Sequence, residues 1–283
     1  MRAVPDDVIL ERRGPVARLT INRPERRNAL NASVLSGLRA GFAEIKGDDS
    51  LRVVVLTGAG TQAFSAGADL IGPNSPAAGT GGDGGPSAAE LHDARGALAA
   101  LFQDLWELGK PSIARVRGYA LAGGMGLALA CDLVVAADDA VFGTPEIDIG
   151  IWPYMVTVAL LQSMAPRHAL ELMMTGRRVG AVEGERLGFL NRVVAVDELD
   201  AAVDALAAQL AKKPPHALAS GRASFYRVLH LGAADALAYL HPLLTVATQT
   251  TEAAEGRAAF AERRPPSWVL QGNEAPGSAR TGT

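Results

Sequence analysis

Gly-Tyr-Ala-Leu-Ala-Gly-Gly-Met-Gly-Leu-Ala-Leu-Ala-Cys-Asp, residues 118–132, is the most informative segment of the chain. An apolar strand, Ser112–Val116, precedes its small residues, and an apolar helical run, 127–130, follows them. Between the two stand Ala122, Gly123, Gly124 and Gly126. Glycine carries no Cβ, so the backbone here can approach a ligand closely. A turn that opens a helix also leaves N–H groups without intrahelical partners. Such groups suit a phosphate, a carboxylate, or an oxyanion that exists only during reaction. No Lys-Ser/Thr pair follows the glycines, which excludes a phosphate loop of the P-loop kind. An oxyanion hole for a thioester carbonyl remains, and it needs a second donor.

Phe-Ser-Ala-Gly-Ala-Asp-Leu, residues 64–70, supplies a candidate; it follows the strand 53–56 and is again built from small residues. Either segment alone reads as a tight turn packing small residues in a core. In this order and at this separation, the pair resembles the crotonase (enoyl-CoA hydratase/isomerase) superfamily. The resemblance implies an oxyanion hole made by the backbone N–H groups of Ala68 and Gly123. It places Ala66, Asp69, Leu70 and Gly124 along the bound acyl-CoA. It also implies an α/β fold, a crotonase-like spiral of ββα units with a C-terminal helical trimerisation region. The expected division is 1–200 for the spiral and its acyl-CoA site, 201–266 for the helical region and 267–283 for a disordered tail.

Composition narrows the rest. Hydrophobic residues make up 48% of 283, enough for a sizeable core. A net charge of −3 gives no electrostatic case for nucleic acid or anionic lipid. The single cysteine, Cys131, sits in an apolar run and reads as a buried small hydrophobe; no internal disulfide is possible. No apolar leader and no run of membrane-spanning length is visible, so a cytoplasmic protein is expected.

From the N-terminus, 8–11 and 16–21 read as strands joined by Arg12-Arg13-Gly14-Pro15. Asn31 can cap a helix whose Val34, Leu35, Leu38, Phe42 and Ile45 share one face. Before it, Arg26 and Arg27 lie where the resemblance puts basic residues near CoA phosphates; a solvated basic turn is the other reading. Gly58-Ala59-Gly60 imitates a dinucleotide fingerprint, but no long helix begins there. Residues 71–87 are rich in Gly, Pro and Ser and read as an irregular loop, either a lid or a bare insertion. Leu91, Ala94, Leu98, Leu101 and Leu105 make a helical stripe that Gly109-Lys110-Pro111 stops. Helical stretches are also expected at 154–164, 168–175, 182–187 and 198–211, with three more over 216–263 and Pro265-Pro266 closing the fold.

Glu146, between Pro145 and Ile147, falls on the family's acid/base position. Flanking isoleucines would desolvate it and raise its pKa toward the neutral range where proton transfer works. Hydratases of the family use a second glutamate just after the glycines. Gly126 stands there, and Asp132, further on, reads as part of a core-facing turn. Water addition wants one group to activate water and another to supply a proton, whereas a double-bond shift needs one base. A lone Glu146 therefore favours enoyl-CoA isomerisation. Hydration, with water or Tyr154 replacing the missing glutamate, stays open, as does a non-catalytic acyl-CoA-binding protein. A second departure is Pro153-Tyr154-Met155-Val156-Thr157, where the family's hydratases carry a glycine-rich run; Tyr154 would put a phenol by the acyl pocket, and Trp152 reads as packing. No cofactor is implied beyond the coenzyme A of the substrate. His92, His168, His216, His230 and His241 show no metal-ligand spacing, and His216 and His230 read as helical residues. The resemblance further implies a homotrimer or hexamer, with the helices carrying Phe260, Arg263 and Arg264 packing over a neighbour's CoA site.

Overall fold

Burial of the central strands on both faces sets the layers. The computed structural model describes residues 7–69 and 87–271. The chain begins with the hairpin β1 (Val8–Arg13) and β2 (Val16–Ile21), then α1 (Ala32–Lys46). Three ββα turns follow. They are β3 (Val53–Gly58), β4 (Ala63–Ser65) and α2 (Ala88–Trp106); β5 (Ser112–Val116), β6 (Tyr119–Leu121) and α3 (Gly123–Ala130); and β7 (Leu133–Ala137), β8 (Val141–Gly143) and α4 (Tyr154–Ser163). In the third turn a 3-10 segment, Pro145–Ile149, precedes α4. Next come α5 (Pro166–Thr175), β9 (Val179–Gly180), α6 (Ala181–Leu187), β10 (Arg192–Val194) and α7 (Leu199–Ala211). The chain closes with α8 (Pro215–Val228), α9 (Ala233–Ala247), α10 (Thr251–Glu262) and α11 (Ser267–Gln271).

Each turn sends its first strand into a six-stranded sheet, β1-β2-β3-β5-β7-β10, and its second into a four-stranded sheet, β4-β6-β8-β9. This is the expected α/β spiral. The first strands were legible because they are buried on both faces and so read as continuous apolar runs. Val54, Leu56, Ala114, Val116, Val134 and Ala136 face the main core. Their neighbours Val53, Val55, Ile113, Val135 and Ala137 face Leu199, Val203, Ala207 and Ala211 of α7. Helix α7 is thus a layer of the sheet, and a boundary at residue 200 cuts through it. The second strands β4, β6 and β8 span three residues each, too few for a period to register.

Local chemistry explains the helices that frame the site. The Asn31 side chain accepts from Val34 N at the start of α1, and Val34, Leu35, Leu38, Phe42 and Ile45 are all buried. Ser87 and Glu90 form a capping box at α2. Leu91, Leu101 and Leu105 of the expected stripe are buried and Leu98 partly so. Asp132 does not simply turn into the core. It accepts from Ser112 N (2.8 Å), Ser112 Oγ (2.9 Å), Arg222 Nε (2.7 Å) and Tyr226 Oη (2.6 Å), and so pins α8 to the spiral. Two expectations at the C-terminus need correction. His230 lies in the turn after α8 rather than in a helix. The fold does not stop at Pro265-Pro266: Ser267 N donates to Glu255 Oε1 (2.8 Å), and Ser267–Gln271 is helical rather than the start of a tail. Leu70, the loop 72–86 and the tail from 272 lie outside the described residues. Among those described, no helix is long and apolar enough to cross a membrane.

Candidate active site

Three loops leave the same edge of the smaller sheet. β4 pairs with β6 in parallel, and β6 pairs with β8 in parallel, so their C-terminal ends lie side by side. After β4 comes Ala66-Gly67-Ala68, after β6 Ala122-Gly123, and after β8 Thr144-Pro145-Glu146. The C-terminal edge of parallel strands is where loops are free to build a site.

The first loop is fixed by a parallel bridge to Leu30. Leu30 N donates to Gly67 O (2.7 Å), and Asp69 N donates to Leu30 O (3.0 Å). That register uses the groups of Gly67 and Asp69, which turns the Ala68 N–H to the opposite side. Ala66 N is occupied, donating to Arg27 O at 3.0 Å. In the second loop the helix α3 begins at Gly123 itself, four residues earlier than the apolar run suggests. Gly123 N–H is therefore a first-turn donor with no intrahelical acceptor. Ala122, the residue before it, is held at φ 52° and ψ −130°. Positive φ is rare for alanine and stores of order 1–3 kcal/mol of strain, which must be enforced by neighbours. The enforcement is visible: Ala122 N donates to Gly143 O at 2.8 Å, tying this corner to the end of β8.

Two glycines let the corners touch. A Cβ on Gly67, whose φ is +91°, would lie 2.6 Å from Ala122 Cβ, 2.8 Å from Leu121 O and 3.3 Å from Gly123 N. A Cβ on Gly124 would lie 2.3 Å from Ser65 O. Ser65 itself is fully buried, its Oγ accepting from Gly67 N at 3.2 Å.

Glu146 sits in the 3-10 segment that follows β8. Its Oε2 is buried without a hydrogen-bond partner. Burial raises its pKa, opposed by a smaller contribution from its own backbone N–H. A carboxylate kept partly out of water and unpaired is poised to take up a proton.

The remaining candidates are placed as follows. Asp69 is buried, and its carboxylate holds Arg23 Nη2 (3.0 Å) and Arg26 Nη2 (3.4 Å). Arg27 is exposed, with backbone in the left-handed region at φ 50°. Tyr154 opens α4 and is 76% exposed, while Trp152 packs partly buried against the core. Gly126 is buried on α3. Sequence reading missed two residues that hold the first loop. Arg23 Nη1 donates to Ala29 O (2.7 Å) as well as to Asp69. Asn28, fully buried at φ 55°, accepts from Arg23 N and donates to Ala59 O (2.9 Å) and Ala63 O (2.7 Å). An asparagine between Pro24 and a helix cap is a turn mark, since Asn tolerates positive φ. A separate cavity of about 300 Å³, lined by Val16, Arg18, Asp204, Ala207, Lys212 and Val269 among others, includes none of these residues. Among the described residues, no group of three or more His, Cys, Asp or Glu side chains is arranged to hold a metal ion.

A spiral of ββα turns with two amide corners and a carboxylate at one sheet edge defines a class, and the sequence agrees with it. The family described as enoyl-CoA hydratase/isomerase matches residues 11–271, and the chain belongs to that family. Among its relatives is a probable enoyl-CoA hydratase of Mycobacterium tuberculosis, 34% identical, covering 93% of this chain and 98% of the relative. A carnitinyl-CoA dehydratase of Salmonella typhi is 35% identical over 92% of this chain and 97% of its own. The crystal structure of an enoyl-CoA hydratase of Mycobacterium smegmatis superposes with a TM-score of 0.85 at 33% identity, covering 93% of this chain and 99% of that one.

Proposed function

We propose that this enzyme of the enoyl-CoA hydratase/isomerase family shifts a double bond within an enoyl-CoA thioester. Glu146 removes a proton from C2 of a 3-enoyl thioester. The electron pair moves into a dienolate whose charge falls on the thioester oxygen, where the Ala68 and Gly123 N–H groups receive it. Glu146 then returns the proton to C4, leaving the double bond between C2 and C3. The observation that carries this reading is the unpartnered, buried Oε2 of Glu146 on the strand end next to the Gly123 corner. One base suffices for both transfers, and a pKa raised by burial evens the cost of holding and releasing the proton.

In this reading Arg26 and Arg27 meet the CoA phosphates, Asp69 orients Arg26, and Ala66, Leu70, Gly124 and Tyr154 border the acyl and pantetheine path. The exposed apolar side chains of the C-terminal helices, Phe260, Leu244 and Val246 among them, are the surface of a trimer or hexamer. A second reading, hydration or its reverse, is favoured by the names of the relatives, an enoyl-CoA hydratase and a carnitinyl-CoA dehydratase. One experiment separates them. The conjugated thioester absorbance is followed with 3-enoyl-CoA and with crotonyl-CoA. Appearance with the first alone supports isomerisation; loss with the second supports hydration; CoA binding without either change leaves a binding protein.

A further inference from the structure

Gly123 and Gly126 stand three residues apart on α3 and share one of its faces. A Cβ on Gly123 would meet Leu98 Cδ2 at 3.2 Å and Leu30 Cδ1 at 3.5 Å. A Cβ on Gly126 would meet Phe102 Cζ at 2.9 Å and Val156 Cγ2 at 3.1 Å. Leu98 and Phe102 are i and i+4 on α2, so a single stripe of that helix covers this face. Phe102 and Val156 are each 2% exposed. One helical turn beyond the Gly123 donor, the wall is hydrocarbon, and a ring tip fills the space that a side chain at 126 would need.

The ring is also held from behind. Its centroid lies 6.1 Å from that of Trp106, and Trp106 lies 6.4 Å from Tyr226. Tyr226 donates to Asp132, and Arg222 donates to both Asp132 and Trp106 O. Swinging Phe102 aside would disturb this stack and the polar junction at its end, so the wall is closed by construction.

We propose, building on the isomerase reading, that Phe102 determines reaction outcome and substrate class. Water addition requires a polar group that positions water, and the ring leaves no room for one beside Gly126. A dry wall also keeps the proton on Glu146 from exchanging with solvent before it returns to carbon. The acyl chains accepted are therefore unsaturated hydrocarbon thioesters, and 3-hydroxyacyl thioesters are excluded.

The test uses full-length protein with Phe102→Ala, Phe102→Leu and the double variant Phe102→Ala/Gly126→Glu. In D2O, deuterium at C4 of the product rises about threefold or more in Phe102→Ala, while Phe102→Leu, which keeps the wall apolar and filled, stays near wild type. The double variant gains crotonyl-CoA hydration of about tenfold or more over wild type, because a carboxylate now has space beside the site. Should Phe102→Ala fail to fold by circular dichroism, Phe102→Val removes the ring with less loss of volume and carries the same expectations, alone and with Gly126→Glu. Folded variants with unchanged deuterium content and no gain in hydration overturn the proposal. Wild-type protein inert toward 3-enoyl-CoA overturns the isomerase reading instead, and the hydration gain on crotonyl-CoA still decides the part played by Phe102.

Discussion

All eight residues of α3 are buried, whereas α8 and α9 bury none and α10 buries only Ala259. Both regions are helical, and the difference lies in what they pack against. Helix α3 is apolar on every side, as a helix wrapped by its own domain must be. The C-terminal helices carry Phe225, Leu237, Leu244, Val246 and Phe260 on their outside. They are held to the spiral by a polar pin, Arg222 and Tyr226 on Asp132, while Glu252 ties α10 to α8 by accepting from His216 N and Ala217 N at 3.0 Å each. Helix α3 completes its packing within the spiral; in the proposed oligomer the outer faces of the C-terminal helices would be covered by a second molecule. Mutations in the first region should act on chemistry and folding together, and mutations in the second on assembly.

The largest effect is expected at Glu146. Glu146→Gln should lower turnover by roughly 10²–10⁴-fold, the range for loss of a general base. It should not cost stability. A carboxyl whose folded pKa is raised contributes fully to stability below its unfolded pKa, and that contribution is lost as pH rises through the folded value. The glutamine variant should therefore melt higher than wild type at about pH 8, with the gap closing toward about pH 4. A variant that melts lower at every pH would mean that the carboxylate holds the fold rather than waiting for a proton.

Gly67→Ala comes next. It forces φ +91° on an alanine and sets a methyl 2.6 Å from Ala122 Cβ. The two amide corners should part, with turnover falling about 10²-fold or more and stability by about 1–3 kcal/mol, read by kinetics and urea unfolding. Arg222→Ala probes the seam between the regions. The pair is largely buried, Arg222 at 9% and Asp132 at 17% side-chain exposure, and breaking such a pair costs about 3 kcal/mol. Limited proteolysis should then cut near 212–215 before it cuts the spiral; simultaneous loss of both regions would deny that they are separable. The smallest effect sharpens the comparison most. Gly96 on α2 and Gly221 on α8 both have open space where a Cβ would go. Gly96→Ala should stabilise by about 0.5–1 kcal/mol. Gly221→Ala should do the same in an isolated chain and the reverse if a neighbouring subunit packs on α8, as unfolding over a range of protein concentrations would reveal.

Much of this was readable in the sequence where one physical demand leaves a residue mark. The strand Val53–Gly58 announces itself because both faces need apolar side chains, and α1 because Asn31 can satisfy an orphan N–H. The two corners announce themselves because only glycine permits such close approach. The hidden parts are those where the residue type is neutral toward its role. Alanine at 122 gives no hint of positive φ; the bond from β8 imposes it. Asn28 and Arg23 look the same in a sequence whether solvated or buried, and their partners at Ala59, Ala63 and Asp69 are far along the chain. The short strands β4, β6 and β8 exist through pairing rather than through pattern.

Two of the three groups at the sheet edge are main-chain amides, and only Glu146 is written in a side chain. Replacing Ala68 by any residue but proline leaves its N–H in place, so drift there changes shape without deleting the donor. The segment 144–154 is where that side chain can be exchanged. A lineage could thus keep its chassis and exchange one loop to acquire a different reaction, and a library restricted to that loop is where altered products should first be sought.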